Sequence, residues 1–339
     1  MPIFNQGTGG GGASLSPIIV VSAPTGSTVT CKKGSTVLTA EESSGTWSFA
    51  IPAYGTWTVT GVNTGATVEK TVEVTAIEVY FVTLEFIPAV LNNATWAQVK
   101  QASDSGVASN YWAVGDTKQI TMNGKVSDGL TLSNYSTYVY IIGFNNNSSV
   151  EGTGIAFGGF KTAASGGIDV ALCDSAYPND KTSGQWFNMN NSATNTGGWN
   201  SSRMRSTTLP LVKSALPSDL QAVLKTTTIY SDNTGGGSDT ASYVTATQDE
   251  LYLLAEFEIF GTRTYANSAE RNHQQQYAYY VAGNSKIKYN HNNTATAVTW
   301  WERSVRAASS NGFCLVDTDG TANAHAARYS IGLAVAFKI

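Results

Sequence analysis

The sequence predicts a mainly β N-terminal sandwich followed by a larger α+β domain. Three observations carry this. Short runs alternate apolar and polar residues, turn residues recur about every ten positions as far as residue 87, and beyond Pro88 a few helical segments with recognisable starts lie among β-branched strands and long polar loops.

Residues 1–16 read as an arm. Gly7, Gly9, Gly10, Gly11 and Gly12 leave it too flexible to hold one conformation by itself. The apolar Ile3 and Phe4 ahead of those glycines, with Asn5 and Gln6, mark an attachment segment that would order against another protein. Residues 17–87 read as the sandwich, with Trp47, Phe49 and Ile51, then Trp57 and Val59, facing inward. Val72, Val74, Ile77, Val79 and Phe81 are expected to supply further inward faces. Turn chemistry falls at Pro24–Gly26, Ser44–Gly45 and Thr64–Gly65, and Lys32 and Lys33 before Gly34 read as a hairpin turn rather than a binding patch.

Residues 88–108 read as a linker carrying a short helix, capped by Thr95 and stopping near Gly106. Residues 109–339 form the α+β domain. Within it, a helix begins at Pro210 and must end at Pro217, Ser218 with Gln221 predicts a capping box, and 138–142 is a β-branched and aromatic strand. Segments 145–149 and 234–238 are polar loops.

Composition narrows the function classes. Charged residues make up 13% of the 339, about half the usual share, so hydroxyl and amide groups must solvate the surface. A net charge of −4 without a Lys/Arg block argues against nucleic acid, whose phosphates need a basic face. No apolar stretch is long enough for a membrane span, and the N-terminus lacks the basic-then-apolar pattern of a signal peptide. Cys31, Cys173 and Cys314 are too few and too scattered for a disulfide framework or metal cluster and read as buried or free thiols.

Catalytic constellations fail one by one, and neither an enzyme nor a cofactor or metal is expected. His273, His291 and His325 have no ligand-spaced partners. Asp317, Asp319 and Gly320 lack the further carboxylates of a calcium loop and read as a hairpin turn. Glu256 and Glu258 alternate with Phe257 and Ile259, which places both carboxylates on one strand face; a solvated edge is preferred to a glycosidase pair. The remaining candidate is a binding face. Tyr279, Tyr280 and Tyr289 offer rings with polar edges, and Arg203, Arg205 and Arg306 offer forked donors. The ligand-binding set comprises Asn311, His325, Arg328, Tyr329, Trp300, Trp301 and Arg303, with the two tryptophans also readable as scaffold.

Pieces of residues 95–339 occur in a familiar order: Thr95-Trp96, Trp112 to Lys118, Ile141 to Asn145, Gly197 to Asn200, Leu216 to Leu220, Leu251 to Gly261, and the closing run from Trp300-Trp301 through Phe313-Cys314 to Phe337. In that order they resemble a lectin-like domain of unknown function found in tail proteins of phages and prophages of Gram-positive bacteria. Residues 17–87 resemble carboxypeptidase-regulatory and immunoglobulin-like spacers, and the opening Met1 to Gly7 resembles the start of tail-fibre and tail-tip proteins. The resemblance implies a C-type-lectin-like fold, related to that of formylglycine-generating enzymes. It further implies a virion-surface protein made in the host cytoplasm, joined to other virion proteins through its arm, with a homotrimer as the favoured oligomer. A host-surface glycan or protein is the expected partner. A capsid decoration or head-fibre protein held by the same arm is the alternative.

Overall fold

The computed structural model describes residues 15–63 and 66–339. The attachment candidates Ile3, Phe4, Asn5 and Gln6 lie outside the described residues. The chain divides into two compact units, one ending at Pro88 and one spanning Ala89–Ile339.

Among the described residues of the first unit are the strands β1 (Ile18–Ser22), β2 (Thr28–Lys33), β3 (Thr36–Thr39), β4 (Thr46–Ala50), β5 (Gly55–Asn63), β6 (Ala66–Val74) and β7 (Val79–Thr83). They form two sheets, β4-β1-β7 and β3-β2-β5-β6. Between them Cys31, Trp47, Phe49, Ile51, Trp57, Val59 and Val74 make a buried core, in which each large side chain contributes roughly 1.5–3 kcal/mol. Lys33 leads into a hairpin turn at Gly34, whose φ of +56° suits glycine.

The last strand departs from expectation. Val79 and Phe81 point outward, Phe81 being 80% exposed, and Ile77 lies exposed ahead of the strand. Tyr80 and Val82 face inward instead. Residues 79–82 are apolar on both parities, so the alternation within them does not choose a face. Leu84 and Phe86, both buried, continue the parity of Val82 and decide it.

The second unit begins with α1 (Trp96–Asp104), where Thr95 and Gln98 form a reciprocal capping box. The stretch read as a linker is packed here: Val99 and Ala102 are fully buried, and the Trp96 ring meets Phe157 at 5.5 Å and Phe337 at 6.3 Å. There follow β8 (Thr117–Ser127), β9 (Leu130–Phe144), α2 (Ser148–Glu151), β10 (Ile155–Lys161), β11 (Asp169–Ala171) and β12 (Asn179–Asp180). A π-helical turn over Met204–Thr208 runs into α3 (Leu209–Ala215), and α4 (Ser218–Gln221) comes after Pro217. The Ser218 capping box does not form. Pro217 takes the N-cap position, so Ser218 is already helical, and the Gln221 amide donates to the Leu216 carbonyl at 2.7 Å.

The remaining elements are β13 (Thr227–Asp232), β14 (Val244–Asp249), β15 (Leu251–Tyr252), α5 (Glu256–Phe260), α6 (Ala278–Val281), β16 (Lys288–Asn290), β17 (Asn293–Val298), β18 (Trp300–Val305), β19 (Gly312–Val316), β20 (Ala322–Ala326), β21 (Tyr329–Ser330) and β22 (Ala336–Lys338). The main sheet runs β15-β22-β10-β11-β16-β17, with the long β8–β9 hairpin joined to β10. Small sheets, β12-β21, β13-β14 and β18-β19-β20, surround it. The architecture is β-rich, with short helices. No helix among the described residues is long and apolar enough to cross a membrane.

Candidate functional site

The seven sequence-selected binding residues separate into two environments. Trp300, Trp301 and Arg303 lie on β18, all of whose residues are buried. The Trp300 indole donates to the Lys286 carbonyl at 2.9 Å and the Trp301 indole to the Phe187 carbonyl at 2.8 Å. These three residues are therefore not ligand contacts but part of the interior. Tyr279 and Tyr280 are buried as well, at 3% exposure each.

Asn311, His325, Arg328 and Tyr329 stand on one surface region. Asn311 precedes β19, and its carbonyl accepts from the Ala327 amide at 2.9 Å, which ties it to the end of β20. The β19–β20 hairpin turns at Asp317–Gly320, where the Asp317 amide donates to Thr321 at 2.8 Å and Gly320 adopts φ +84°. His325 is exposed on β20, and its ring centroid lies 4.0 Å from that of Tyr329. Its Nδ1 accepts the Ala326 amide at 2.9 Å, which leaves Nε2 as the donor of the neutral ring. Pairing of Tyr329–Ser330 with Asn179–Asp180 brings Asp180 beside Arg328, whose Nε donates to Asp180 Oδ1 at 2.9 Å. That contact raises the Arg328 pKa.

Three members of this surface had gone unnoticed in the sequence. Asp180 is one. The Lys181 amide donates to the Arg328 carbonyl at 2.8 Å, and its ammonium lies 4.4 Å above the Trp186 ring. Trp186 packs against backbone: a Cβ on Gly129 would come within 2.6 Å of its ring, and its indole donates to the Ser183 carbonyl at 2.9 Å. Residues 179–186 and 325–329 are far apart in sequence, so only the β12–β21 pairing reveals that they meet. Below them, Asp174 fixes the strands, its carboxylate accepting from Ser330 Oγ at 2.8 Å and from the Phe187 amide at 2.9 Å. The result is a surface of exposed and half-exposed rings flanked by a forked cation, a carboxylate and an ammonium, groups that can stack and hydrogen-bond.

The carboxylates considered for catalysis lie elsewhere, and not on a strand. Glu256 and Glu258 sit on the helix α5 and are 0% and 1% exposed, which removes the solvated-edge expectation. The physical reason is that both are held inside by donors. Glu256 accepts the Tyr265 and Ala266 amides, the latter at 2.7 Å. Glu258 accepts the Ala255 amide at 3.0 Å and both terminal nitrogens of Arg303. Glu270 accepts Ser231 Oγ at 2.8 Å and Ser304 Oγ at 2.5 Å. Glu302 is fully buried, and neither of its oxygens has a hydrogen-bond partner among the described residues. Burial, reinforced by Glu256, Glu270 and Glu258, holds its pKa well above the ordinary 4.5.

His291 and the thiols fit the same interior. Burial lowers the His291 pKa to about 4, while its Nδ1 accepts the Cys173 amide at 3.2 Å. Burial, then Asp174, raises Cys173 to about 12, and burial raises Cys314 well above the usual thiol range. All three cysteines are free and buried. Among the described residues no group of three or more His, Cys, Asp or Glu side chains could hold a metal ion. An open pocket of about 390 Å³ beside α3 and β14 is rimmed by Arg205, Lys213, Asp249 and Glu250, which pair with one another as Arg205–Asp249 and Lys213–Glu250.

The model of a family described as a domain of unknown function (DUF6273) matches residues 179–339, a little under half of the chain. Its span begins at β12, so it includes both halves of the exposed surface and all of the buried carboxylates on α5 and β18. No curated protein matches the chain.

Proposed function

We propose that this protein is a structural component of a phage virion, a tail-fibre or tail-tip protein whose second unit adopts a C-type-lectin-like fold and recognises a glycan or protein on a Gram-positive host. The arm attaches, the sandwich spaces, and the surface of Asn311, His325, Arg328, Tyr329, Asp180, Lys181 and Trp186 faces the host. Function on this reading is recognition without chemistry, the chain resides on the virion surface, and a homotrimer is the expected assembly.

One observation carries the reading: rings and charges cluster on the surface, whereas the carboxylates on α5 and β18 are enclosed. A general acid or nucleophile must reach its substrate. Glu256 and Glu258 instead have their oxygens occupied by backbone amides and by Arg303. Rings with polar edges beside Arg and Asp support contact with sugar hydroxyls or a protein hot spot.

Location is tested by a virion reconstruction of a phage encoding the chain. Density for the two units at the tail tip or fibre supports the proposal. Density distributed over the capsid would replace it with the decoration or head-fibre reading.

A further inference from the structure

We propose that the open pocket beside α3 and β14 is a further binding site of this chain and takes the ring of a neutral hexose. Its volume of about 390 Å³ is that of a small-molecule site. Leu209, Pro210 and Leu251 give it an aliphatic lining, and Arg205, Lys213, Gln248, Asp249 and Glu250 give it a hydrogen-bonding rim. It shares no residue with the exposed surface of His325 and Tyr329, so it does not depend on the recognition proposed there.

The local sequence shapes one wall. Pro210 has no amide hydrogen to donate, and the Leu209 amide in front of it reaches five residues back to the Met204 carbonyl, closing the π-helical turn over Met204–Thr208. Such turns are rare and recur at functional sites. Arg205 lies on this turn and is held in place. Its Nε donates to Asp249 Oδ1 at 2.6 Å, Nη1 to the Asn200 carbonyl at 3.2 Å and Nη2 to the Gln248 carbonyl at 3.3 Å. Asp249 is held in turn by Trp199 Nε1 at 3.2 Å and Thr247 Oγ1 at 2.6 Å, both donating to Oδ2.

Charge and polarity define the ligand. Each cation of the rim is paired with a carboxylate, Arg205 with Asp249 and Lys213 with Glu250. An anion would meet the two carboxylates, and a cation would meet Arg205 and Lys213. An apolar molecule would strip water from all four without replacing its hydrogen bonds. Lys213 and Glu250 are 34% and 37% exposed, and an ammonium and a carboxylate each have more hydrogen-bonding sites than one contact between them uses. A hydroxyl both donates and accepts, so adjacent ring hydroxyls can bond to the carboxylate and the cation of one pair together. The C–H face of a pyranose then packs on the aliphatic lining.

Amide chemical shifts of the full chain, titrated with the methyl glycosides of glucose, galactose, N-acetylglucosamine and rhamnose, test this. At least one glycoside should shift amides within 205–213 and 248–251 saturably, with a Kd of about 1 mM. Lys213→Ala/Glu250→Ala removes a partly exposed pair together and should weaken that binding at least about tenfold, with Tm within a few degrees of the unaltered protein. Thr226→Lys, which places a charged side chain at the exposed rim, should do the same. Glycerol phosphate, a hydroxyl-bearing anion, should bind at least about tenfold more weakly than the best glycoside. Absence of a saturable shift in these segments with every glycoside, equal binding by both variants, or tighter binding of glycerol phosphate would each overturn the proposal. Shifts confined to 180–186 and 325–329 would overturn it too, while supporting recognition by the exposed surface.

Discussion

Arg303 of β18 grips Glu258 of α5 with both terminal nitrogens, Nη1 donating to Oε2 at 2.6 Å and Nη2 to Oε1, and the two side chains are 0% and 1% exposed. Burial alone would lower the Arg303 pKa, but the Glu258 carboxylate beside it more than offsets this, and the net shift is upward. Both residues had looked like surface groups in the sequence. Together they join β18 to α5.

Removing one partner should leave the other charge buried without compensation. Arg303→Leu is expected to lower unfolding free energy by about 3–5 kcal/mol in a denaturant titration. A loss under about 1 kcal/mol would mean that water reaches Glu258 and that the pair is not structural.

Glu302 predicts a pH-dependent gain of stability. Its folded-state pKa is raised by burial first and by Glu256, Glu270 and Glu258 next, so the folded chain keeps a proton that the unfolded chain releases above 4.5. The stability linked to that proton is fully present below 4.5 and is lost as pH rises. Glu302→Gln should therefore raise Tm at pH 7 and change it little at pH 4. An equal shift at both pH values would assign the effect to packing.

Trp301 and the pair His325/Tyr329 should behave oppositely. Trp301→Ala removes a fully buried ring and its bond to Phe187, and is expected to cost about 3–5 kcal/mol. His325→Ala with Tyr329→Ala should alter stability by no more than about 0.5 kcal/mol per residue, since both stand at the surface. Thermal unfolding of the two variants decides whether the interior and the exposed surface have been correctly separated.

Legibility of the sequence followed how well each residue's surroundings are determined by its neighbours in the chain. Trp47, Phe49, Ile51, Trp57 and Val59 alternate with polar residues, and all five are buried. Thr95 and Gln98 sit three apart, and their capping box forms. At 79–82 both parities are apolar, and the face was settled only by Leu84 and Phe86 further on. Glu256 and Glu258 share the spacing of a strand face, yet Gly261 at φ +67° closes a helical turn there, and Arg303, forty-five residues away, makes burial of Glu258 possible. His325 and Tyr329 read from the sequence as loop residues, whereas they stand on the short strands β20 and β21, where strand pairing rather than local sequence sets their position. Trp186 and Lys181 could not be read as their neighbours, because β12 reaches them across almost the whole DUF6273 span.

Binding of the full chain to Gram-positive host cells tests recognition by this surface. Binding should be saturable and fall at least about tenfold in His325→Ala/Tyr329→Ala and in Trp186→Ala, while Tm remains within a few degrees of the unaltered protein. Equal binding by these well-folded variants would contradict the assignment of recognition to this surface.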